Sequence, residues 1–296
     1  MKRPRLRRWA SILTLLILPP YLVVAFGCGA DWLILRQRSG YVDPHGATRQ
    51  TIVVEGKTVE AWIARSEKLA RDEQPQAYLL EFCGNATRAE DIAIYVASRW
   101  RDHPVEAWVM NYPGGGGSDG PARLKRIPAA ALAMFDELRR RSPSAPIFVE
   151  ANSLGTTAAL HVAAHRDVAG CILHDPVPLK QLILGEYGWW NLWLVAGPVA
   201  CRLPDELDAI ANAKAANAPA VFILAENDTF VLPKYHRMVT DAYTGEKRFV
   251  KMPGGHWSSV TGDAEKQLRQ EIDWLWSSAL PSPRPSREVP GEEASH

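Results

Sequence analysis

Short apolar runs alternate with longer segments of mixed apolar and polar residues through most of the chain. The short runs are typical of buried strands, and the longer segments are typical of helices. The predicted strands are 77–82, 105–110, 147–151, 171–174, 220–225 and 248–252, and the predicted helices are 86–101, 127–141, 154–165, 233–243 and 263–280. This alternation predicts an α/β fold with a mostly parallel sheet that is covered by helices on both faces.

Three segments depart from the alternation. Residues 50–56 and 58–63 form two β-rich runs separated by turn residues, which predicts an antiparallel pair at the start of a domain spanning 50–280. Residues 176–218 contain a tryptophan-rich cluster around Trp189 and Trp193 and are predicted to form a short helical cap. That cluster could line an acyl pocket, contact lipid or pack on the domain. Residues 281–296, rich in Pro, Ser and Glu, are predicted to be a disordered tail.

Composition restricts the partners. The chain has 296 residues, of which 47% are hydrophobic, so it can fill a substantial core. Its 34 Lys and Arg against 33 Asp and Glu give a net charge of +1, which provides no broad field for nucleic acid. A globular enzyme acting on a small molecule or an acyl chain is the expected class.

The N-terminal segment 1–35 has a different composition. Basic residues up to Arg8 precede a 22-residue uncharged run, 9–30, which is long enough to cross a bilayer. The basic flank predicts a single-pass membrane protein with a cytoplasmic N-terminus and the domain outside the cytoplasm. Two alternatives are a signal peptide cleaved after 25–27 and a lipoprotein acylated on Cys28.

A sharp turn is predicted between the strand 147–151 and the helix 154–165. Ser153 lies on this turn between Ala151 and Gly155. A strained turn of this kind requires small residues two positions before and two positions after the serine, as in a nucleophile elbow. A serine that merely caps a helix would give a similar string, so the motif needs support from elsewhere.

An acid and a base that such a serine requires follow two further predicted strands. Asp228 follows the strand 220–225, and His256 follows the strand 248–252. A serine nucleophile needs a base, and the base needs an acid that fixes its tautomer. Since carboxyl ends of parallel strands meet at one sheet edge, we expect Ser153, Asp228 and His256 to form a catalytic triad.

From about residue 51 to residue 280 the chain resembles the α/β-hydrolase superfamily, and within it the abhydrolase and serine aminopeptidase-like subgroup, which includes membrane-anchored members. The resemblance rests on four ordered motifs: 82–86 (FCGNA), 111–120, the elbow at Ser153, and the Asp228 and His256 loops. It implies an α/β-hydrolase fold and an oxyanion hole made by the backbone N–H groups of Asn85 and Leu154. The chain departs from the usual motifs chiefly at Cys83, where His is common.

Other residues allow weaker alternatives. Asp175 follows the strand 171–174 and could replace Asp228 as the acid. His161 and His165 are four apart on a helix, yet no third ligand accompanies them, so no metal is expected. The glycine run 114–117 lacks a following Lys and predicts a flexible loop and no phosphate site. Cys83 has no adjacent base and is expected to be a small buried residue.

The sequence therefore predicts a serine hydrolase that cleaves an ester, thioester or amide through an acyl-Ser153 intermediate, without a cofactor. Acyl transfer to an alcohol or amine by the same triad is one alternative. A catalytically silent membrane-anchored binding domain is the other, and the fold alone does not choose the substrate.

Overall fold

The computed structural model describes residues 16, 18, 19, 21, 29–36, 38, 40–191 and 193–280. Within them, one sheet has eight strands: β1 Thr48–Val54, β2 Lys57–Arg65, β3 Ala77–Phe82, β4 Val105–Met110, β5 Ile147–Asn152, β6 Gly170–His174, β7 Ala220–Ala225 and β8 Lys247–Met252. Their spatial order is β1-β2-β4-β3-β5-β6-β7-β8. β2 pairs antiparallel with β1 and with β4, and the remaining pairs are parallel.

The central strands are buried on both faces, as their largely apolar runs predict. Every residue of β3 and of β6 is buried. β1 instead alternates exposed and half-buried residues, as an edge strand with one solvated face does. The predicted mostly parallel sheet is confirmed, and so is the antiparallel pair at its start.

Nine α-helices lie in the described part of the chain: α1 Gly29–Ile34, α2 Ala89–Arg99, α3 Ile127–Arg141, α4 Gly155–His165, α5 Leu179–Tyr187, α6 Ala196–Ala200, α7 Ala209–Ala215, α8 Pro233–Ala242 and α9 Asp263–Ala279. α3, α4 and α8 contribute to the core on one face of the sheet. α2 and α9 cover the opposite face. Helices on both faces confirm the predicted architecture.

α2 begins three residues later than the sequence predicts. Ala86 has a positive φ of 64°, and Arg88 has an extended backbone with φ −108° and ψ 145°. Neither conformation can belong to an α-helix. Residues 84–88 therefore form a loop at the carboxyl end of β3, and this loop borders the candidate site.

The segment 176–218 contains α5, α6 and α7. α7 packs against α4 and α8, and α5 packs against α6. Buried residues of all three helices belong to the same core cluster as α3 and α4. These helices therefore lie on that face of the sheet, opposite α2 and α9.

The prediction of a single-pass membrane protein is wrong for this structure. Among the described residues, no helix is both long enough and apolar enough to cross a bilayer. α1 has six residues, and its Asp31 accepts a hydrogen bond of 2.7 Å from the backbone of Leu124. Most of the run 9–30 lies outside the described residues, as do the predicted cleavage and acylation positions 25–28 and the tail 281–296.

Candidate active site

Ser153 lies on a strained turn between β5 and α4. Its φ is +51°, a left-handed conformation that is uncommon for residues other than glycine. Its N–H donates to the carbonyl of His174 on the neighbouring strand at 2.9 Å. A Cβ at Gly155 would overlap the carbonyl oxygen of Phe82, so only glycine fits there. The turn thus holds the Ser153 hydroxyl at the carboxyl edge of the sheet.

Ser153, His256 and Asp228 form a continuous hydrogen-bonded relay. The Ser153 hydroxyl lies 2.8 Å from Nε2 of His256, and Nδ1 of His256 lies 2.7 Å from Oδ2 of Asp228. All three residues are buried, with 6%, 5% and 2% of their surface exposed respectively. The structure thus brings together the three residues that the sequence predicts, in the geometry of a nucleophile, a base and an orienting acid.

Asp228 is held as a carboxylate by four groups. Its Oδ1 accepts hydrogen bonds of 2.8 Å from the N–H groups of Phe230 and Val231, and its Oδ2 faces His236 and His256. Burial by itself would raise the pKa of Asp228, but the hydrogen bonds from the two histidines and from the Val231 N–H hold that pKa well below its usual range. Asp228 is therefore ionised at neutral pH and can stabilise a protonated His256.

His236, on α8, is a member of this network that the sequence reasoning missed. Its Nδ1 lies 3.0 Å from the carbonyl oxygen of Pro176, and its Nε2 lies 3.1 Å from Oδ2 of Asp228. Both partners are acceptors, so both hydrogen bonds form only when both ring nitrogens carry hydrogen, and this arrangement favours the imidazolium. Burial lowers the pKa of His236, but the bonds to Asp228 and Pro176 and the charge of Asp175 outweigh it and raise that pKa.

One feature of the sequence could have indicated this role: His236 lies in a predicted helix that directly follows the Asp228 loop. A lone histidine in an amphipathic helix is not specific. The acceptor that identifies its role, the carbonyl of Pro176, is 60 residues away in the chain.

Asp175, the alternative acid, is completely buried beside the relay. Its Oδ1 accepts a hydrogen bond of 2.8 Å from the N–H of Ala225, and its Oδ2 lies 3.9 Å from Nδ1 of His256. Asp228 approaches the same nitrogen to 2.7 Å. The geometry therefore favours Asp228 as the group that orients His256, while Asp175 ties β6 to β7.

A cavity of about 230 Å³ opens beside the Ser153 hydroxyl. It lies between the carboxyl end of the sheet, α2 and the loop that follows His256. Its polar lining residues are Glu81, Asn85, Thr87, Arg99, Glu150, Asn152, Ser153, His174, His256, Ser258 and Ser259. Its apolar wall includes Ile92, Tyr95, Val96, Trp257 and Val260.

The tryptophans of the segment 176–218 do not contribute to this wall. Trp189, Trp190 and Trp193 are 65%, 64% and 49% exposed, and in the described part of the chain none of them lines the cavity. Their helices lie on the opposite face of the sheet from α2. The interpretation of this cluster as an acyl pocket therefore finds no counterpart in the cavity beside Ser153.

One predicted oxyanion donor belongs to the residue after Ser153, and the other belongs to a loop that lines the same cavity. Leu154 follows Ser153 directly and precedes the first residue of α4, where backbone N–H groups have no acceptor within the helix. Asn85 lies in the loop after β3 and lines the cavity. Its side chain donates to the carbonyl of Ile34 at 2.6 Å and accepts from the N–H of Arg36 at 2.9 Å. These two bonds fix the loop that carries the Asn85 N–H.

The weaker sequence candidates have structural explanations. Cys83 is 1% exposed, and burial followed by the nearby charges of Glu81 and Glu90 raises the pKa of its thiol well above the usual value. A thiol in that state is a poor nucleophile. In the loop 114–117, the Gly117 N–H donates to the buried carboxylate of Glu60 at 2.7 Å, and that negative charge is unsuited to a phosphate.

His161 and His165 contact each other, and no third metal ligand accompanies them among the described residues. Their ring centroids are 4.4 Å apart, and Nδ1 of His165 faces the backbone carbonyl of His161. Within the described residues, the one cluster with metal-ligand spacing is Asp175, Asp228 and His256. In this cluster, Nδ1 of His256 and Oδ2 of Asp228 are already joined by the hydrogen bond of the relay.

No protein-family model matches the chain, and no curated protein matches it. Solved structures do match. An esterase from Pyrococcus furiosus superposes with a TM-score of 0.61 at 12% identity, covering 83% of this chain and 96% of that chain. The eight-stranded, mostly parallel sheet with helices on both faces agrees with that likeness. This chain has an α/β-hydrolase fold.

Two further solved structures have the same fold. Est1E from Butyrivibrio proteoclasticus gives a TM-score of 0.61 at 13% identity and covers 77% of this chain and 99% of that chain. A cold-adapted esterase from an Arctic intertidal metagenomic library gives 0.56 at 16% identity, with 77% and 93% covered. At these identities the likeness concerns the fold, and the abhydrolase subgroup stays a prediction.

Proposed function

We propose that this protein is a serine hydrolase that cleaves esters through an acyl-Ser153 intermediate. The observation that carries the proposal is the relay of 2.8 Å and 2.7 Å from Ser153 through His256 to Asp228, at the edge of a cavity. Similar structures that are themselves described as esterases support the choice of reaction class.

In the first half of the reaction, the Ser153 hydroxyl oxygen attacks the ester carbonyl carbon and its proton passes to Nε2 of His256. The N–H groups of Asn85 and Leu154 stabilise the oxyanion of the tetrahedral intermediate. The intermediate collapses, the bond to the alcohol oxygen breaks, and the alcohol leaves with the proton from His256. The acyl group remains on Ser153.

In the second half, His256 takes a proton from water, and the hydroxide attacks the acyl carbon. Collapse of this second intermediate breaks the bond to Ser153, which recovers its proton from His256, and the acid leaves. Asp228 stabilises the imidazolium formed in each half. The buried position of the relay keeps these charges away from bulk water, where they would interact more weakly.

The proposal predicts that a fluorophosphonate probe labels the wild-type protein and that Ser153→Ala abolishes labelling. Hydrolysis of p-nitrophenyl butyrate should fall on the order of 10⁶-fold in kcat, as in other enzymes that lose the nucleophile of a triad. Ser98→Ala, which changes a half-buried serine on α2, is the control and should keep both activities. Labelling of Ser153→Ala at the wild-type rate would overturn the proposal.

A further inference from the structure

Two exposed aromatic rings pack against the ring of the candidate base. The ring centroids of Phe230, in the loop after β7, and of Trp257 lie 5.1 Å and 4.8 Å from that of His256. The Phe230 and Trp257 rings are themselves 5.5 Å apart, so the three rings form one contact group. Phe230 is 47% exposed and Trp257 is 76% exposed. Adjacent exposed apolar side chains of this kind are typical of a binding surface.

The two exposed rings differ in their relation to the cavity. Trp257 lines the cavity together with residues of α2, whereas Phe230 does not line it. The cavity therefore extends from Ser153 toward α2, and the Phe230 ring lies outside it against the ring of His256. Two surfaces thus border the nucleophile and the base: the cavity, and the exposed aromatic platform formed by Phe230 and Trp257.

The backbone of the Asp228 loop determines where the Phe230 ring lies. The N–H of Phe230 donates to Oδ1 of Asp228 at 2.8 Å, and the N–H of Val231 donates to the same oxygen at 2.8 Å. The turn that orients the acid therefore also presents the aromatic ring beside His256. Because both of these bonds come from the backbone, a substitution can remove the ring while the donors to Asp228 remain.

The reaction assigns one part of the ester to each surface. In the tetrahedral intermediate, the oxyanion faces the N–H groups of Asn85 and Leu154. The oxygen of the leaving alcohol must come within hydrogen-bonding distance of Nε2 of His256, which protonates it. The group attached to that oxygen is therefore next to His256 and to the exposed rings that contact it. The acyl group takes the remaining direction, toward the cavity that α2 borders.

We propose that Phe230 and Trp257 bind an aromatic group in the alcohol part of the substrate, so that the preferred substrates are esters of aromatic alcohols. The inference rests on the proposed serine hydrolase function and specifies its substrate class. An aromatic ring can lie against both exposed rings in offset or edge-to-face geometry, with centroids about 4.5–7 Å apart. A saturated ring of the same size covers the same surface but lacks this additional aromatic contact.

The test compares butyrate esters of two matched alcohols on the wild-type protein. Benzyl butyrate and cyclohexylmethyl butyrate have the same number of carbon atoms and differ in whether the ring of the alcohol is aromatic. We expect kcat/KM to favour the benzyl ester by about fivefold, since one aromatic contact contributes about 1 kcal/mol. Equal kcat/KM values would overturn the platform, while hydrolysis of both esters would leave the proposed serine hydrolase standing.

A variant tests whether the Phe230 ring is responsible. Phe230→Leu keeps an apolar side chain and the backbone bond to Asp228, and it should lower the ratio of the two kcat/KM values to below about two. A general loss of turnover would lower both values and leave their ratio unchanged, so the ratio reports binding of the alcohol. Phe230→Tyr should retain the preference. Trp189→Ala, which changes an exposed tryptophan away from the cavity, is the control and should also retain it. An undiminished ratio in Phe230→Leu would overturn the assignment.

A second pair of esters tests which side of the ester contacts the platform. Methyl phenylacetate and methyl cyclohexylacetate carry the same two rings on the acid, and their ratio should be equal in wild type and Phe230→Leu. A ratio that changes in this pair alone would place the acyl group on the platform and overturn the proposal. So would a higher kcat/KM for butyrylcholine than for benzyl butyrate, since the platform would then bind a cation. Absence of both hydrolysis and fluorophosphonate labelling would overturn the proposed function, and the platform with it.

Discussion

Asp228 and His236 are joined through the carboxylate oxygen that also faces the candidate base. Oδ2 of Asp228 lies 3.1 Å from Nε2 of His236 and 2.7 Å from Nδ1 of His256. Since the backbone N–H groups of the following loop occupy Oδ1, the carboxylate is held at both oxygens. His236 on α8 thus helps to orient the acid, and the hydrogen-bonded relay extends one residue beyond Ser153, His256 and Asp228.

The charge of His236 should make stability depend on pH. Its pKa is raised above 6.5 in the folded protein, so the folded state binds this proton more tightly than the unfolded chain does. The stabilisation is fully present below pH 6.5 and is lost as pH rises through the raised pKa, with a slope of at most about 1.4 kcal/mol per pH unit.

We therefore expect His236→Gln to remove one component of the decrease in unfolding free energy as the pH rises above about 6.5. Urea denaturation of both proteins at several pH values measures this difference. The ring also faces Asp175 at 3.6 Å, so the same comparison in an Asp175→Asn background should show a smaller difference. Identical pH dependence in wild type and His236→Gln would show that His236 is not an imidazolium.

The two buried aspartates should differ sharply in their effect on turnover. Asp228→Asn removes the carboxylate that contacts His256 at 2.7 Å and should lower kcat by about 10⁴-fold, as in other triads. Asp175→Asn keeps an Oδ1 acceptor for the N–H of Ala225 and should lower kcat by less than about tenfold. Steady-state hydrolysis of p-nitrophenyl butyrate measures both. The reverse order would identify Asp175 as the acid.

Thr156 directly follows Gly155 of the elbow, and its hydroxyl makes two hydrogen bonds. It donates to the carbonyl of Ser153 at 2.6 Å and accepts from the N–H of Val177 at 3.1 Å. Thr156→Val keeps the shape but leaves the Val177 N–H buried without an acceptor. We expect a loss of about 1–3 kcal/mol in unfolding free energy.

Thr157→Val is the matched control, because the Thr157 hydroxyl makes the equivalent bond to the carbonyl of Leu154 at 2.8 Å. The described contacts of that hydroxyl include no bond beyond the turn. The change in unfolding free energy caused by Thr157→Val is subtracted from the change caused by Thr156→Val. The difference measures the contribution of the hydrogen bond to Val177. A difference near zero would mean that the link between the elbow and the loop after β6 does not contribute to stability.

The sequence predicted most of the sheet because burial on both faces leaves a simple signal. The strands Ala77–Phe82, Val105–Met110 and Ala220–Ala225 have the predicted bounds, and each is a short, largely apolar run bounded by polar or turn-forming residues. Ser153, Asp228 and His256 were found because each directly follows such a strand. Parallel strands bring their carboxyl ends to one edge, so chain order was enough to predict the cluster.

The features that the sequence did not reveal depend on pairing between distant residues. Glu81 and Glu150 could be seen as charged residues in apolar strands, but their adjacency follows from the order of β3 and β5 in the sheet. His236 acquires its role through a carbonyl on another loop. The face on which the segment 176–218 packs is likewise set by tertiary contacts, and composition alone left an acyl pocket, a lipid contact and packing on the domain as alternatives.

Trp257 and Trp189 offer a comparison between an aromatic residue at the cavity and one away from it. Trp257 is 76% exposed, lines the cavity and lies 4.8 Å from the ring of His256 in an edge-to-face arrangement. Trp189 is 65% exposed and does not line the cavity. Both side chains can therefore be truncated with little effect on the core.

We expect Trp257→Ala to lower kcat/KM about fivefold, since an aromatic contact is worth about 1 kcal/mol, with most of the change in KM. Trp189→Ala should leave kcat/KM unchanged for p-nitrophenyl esters from acetate to octanoate. Measuring both variants across that series separates the two positions, because a pocket wall alters the preference among esters whereas a distant surface residue does not. A chain-length preference altered by Trp189→Ala alone would return the acyl pocket to the segment 176–218 and would contradict the location of the substrate cavity between α2 and the loop after His256.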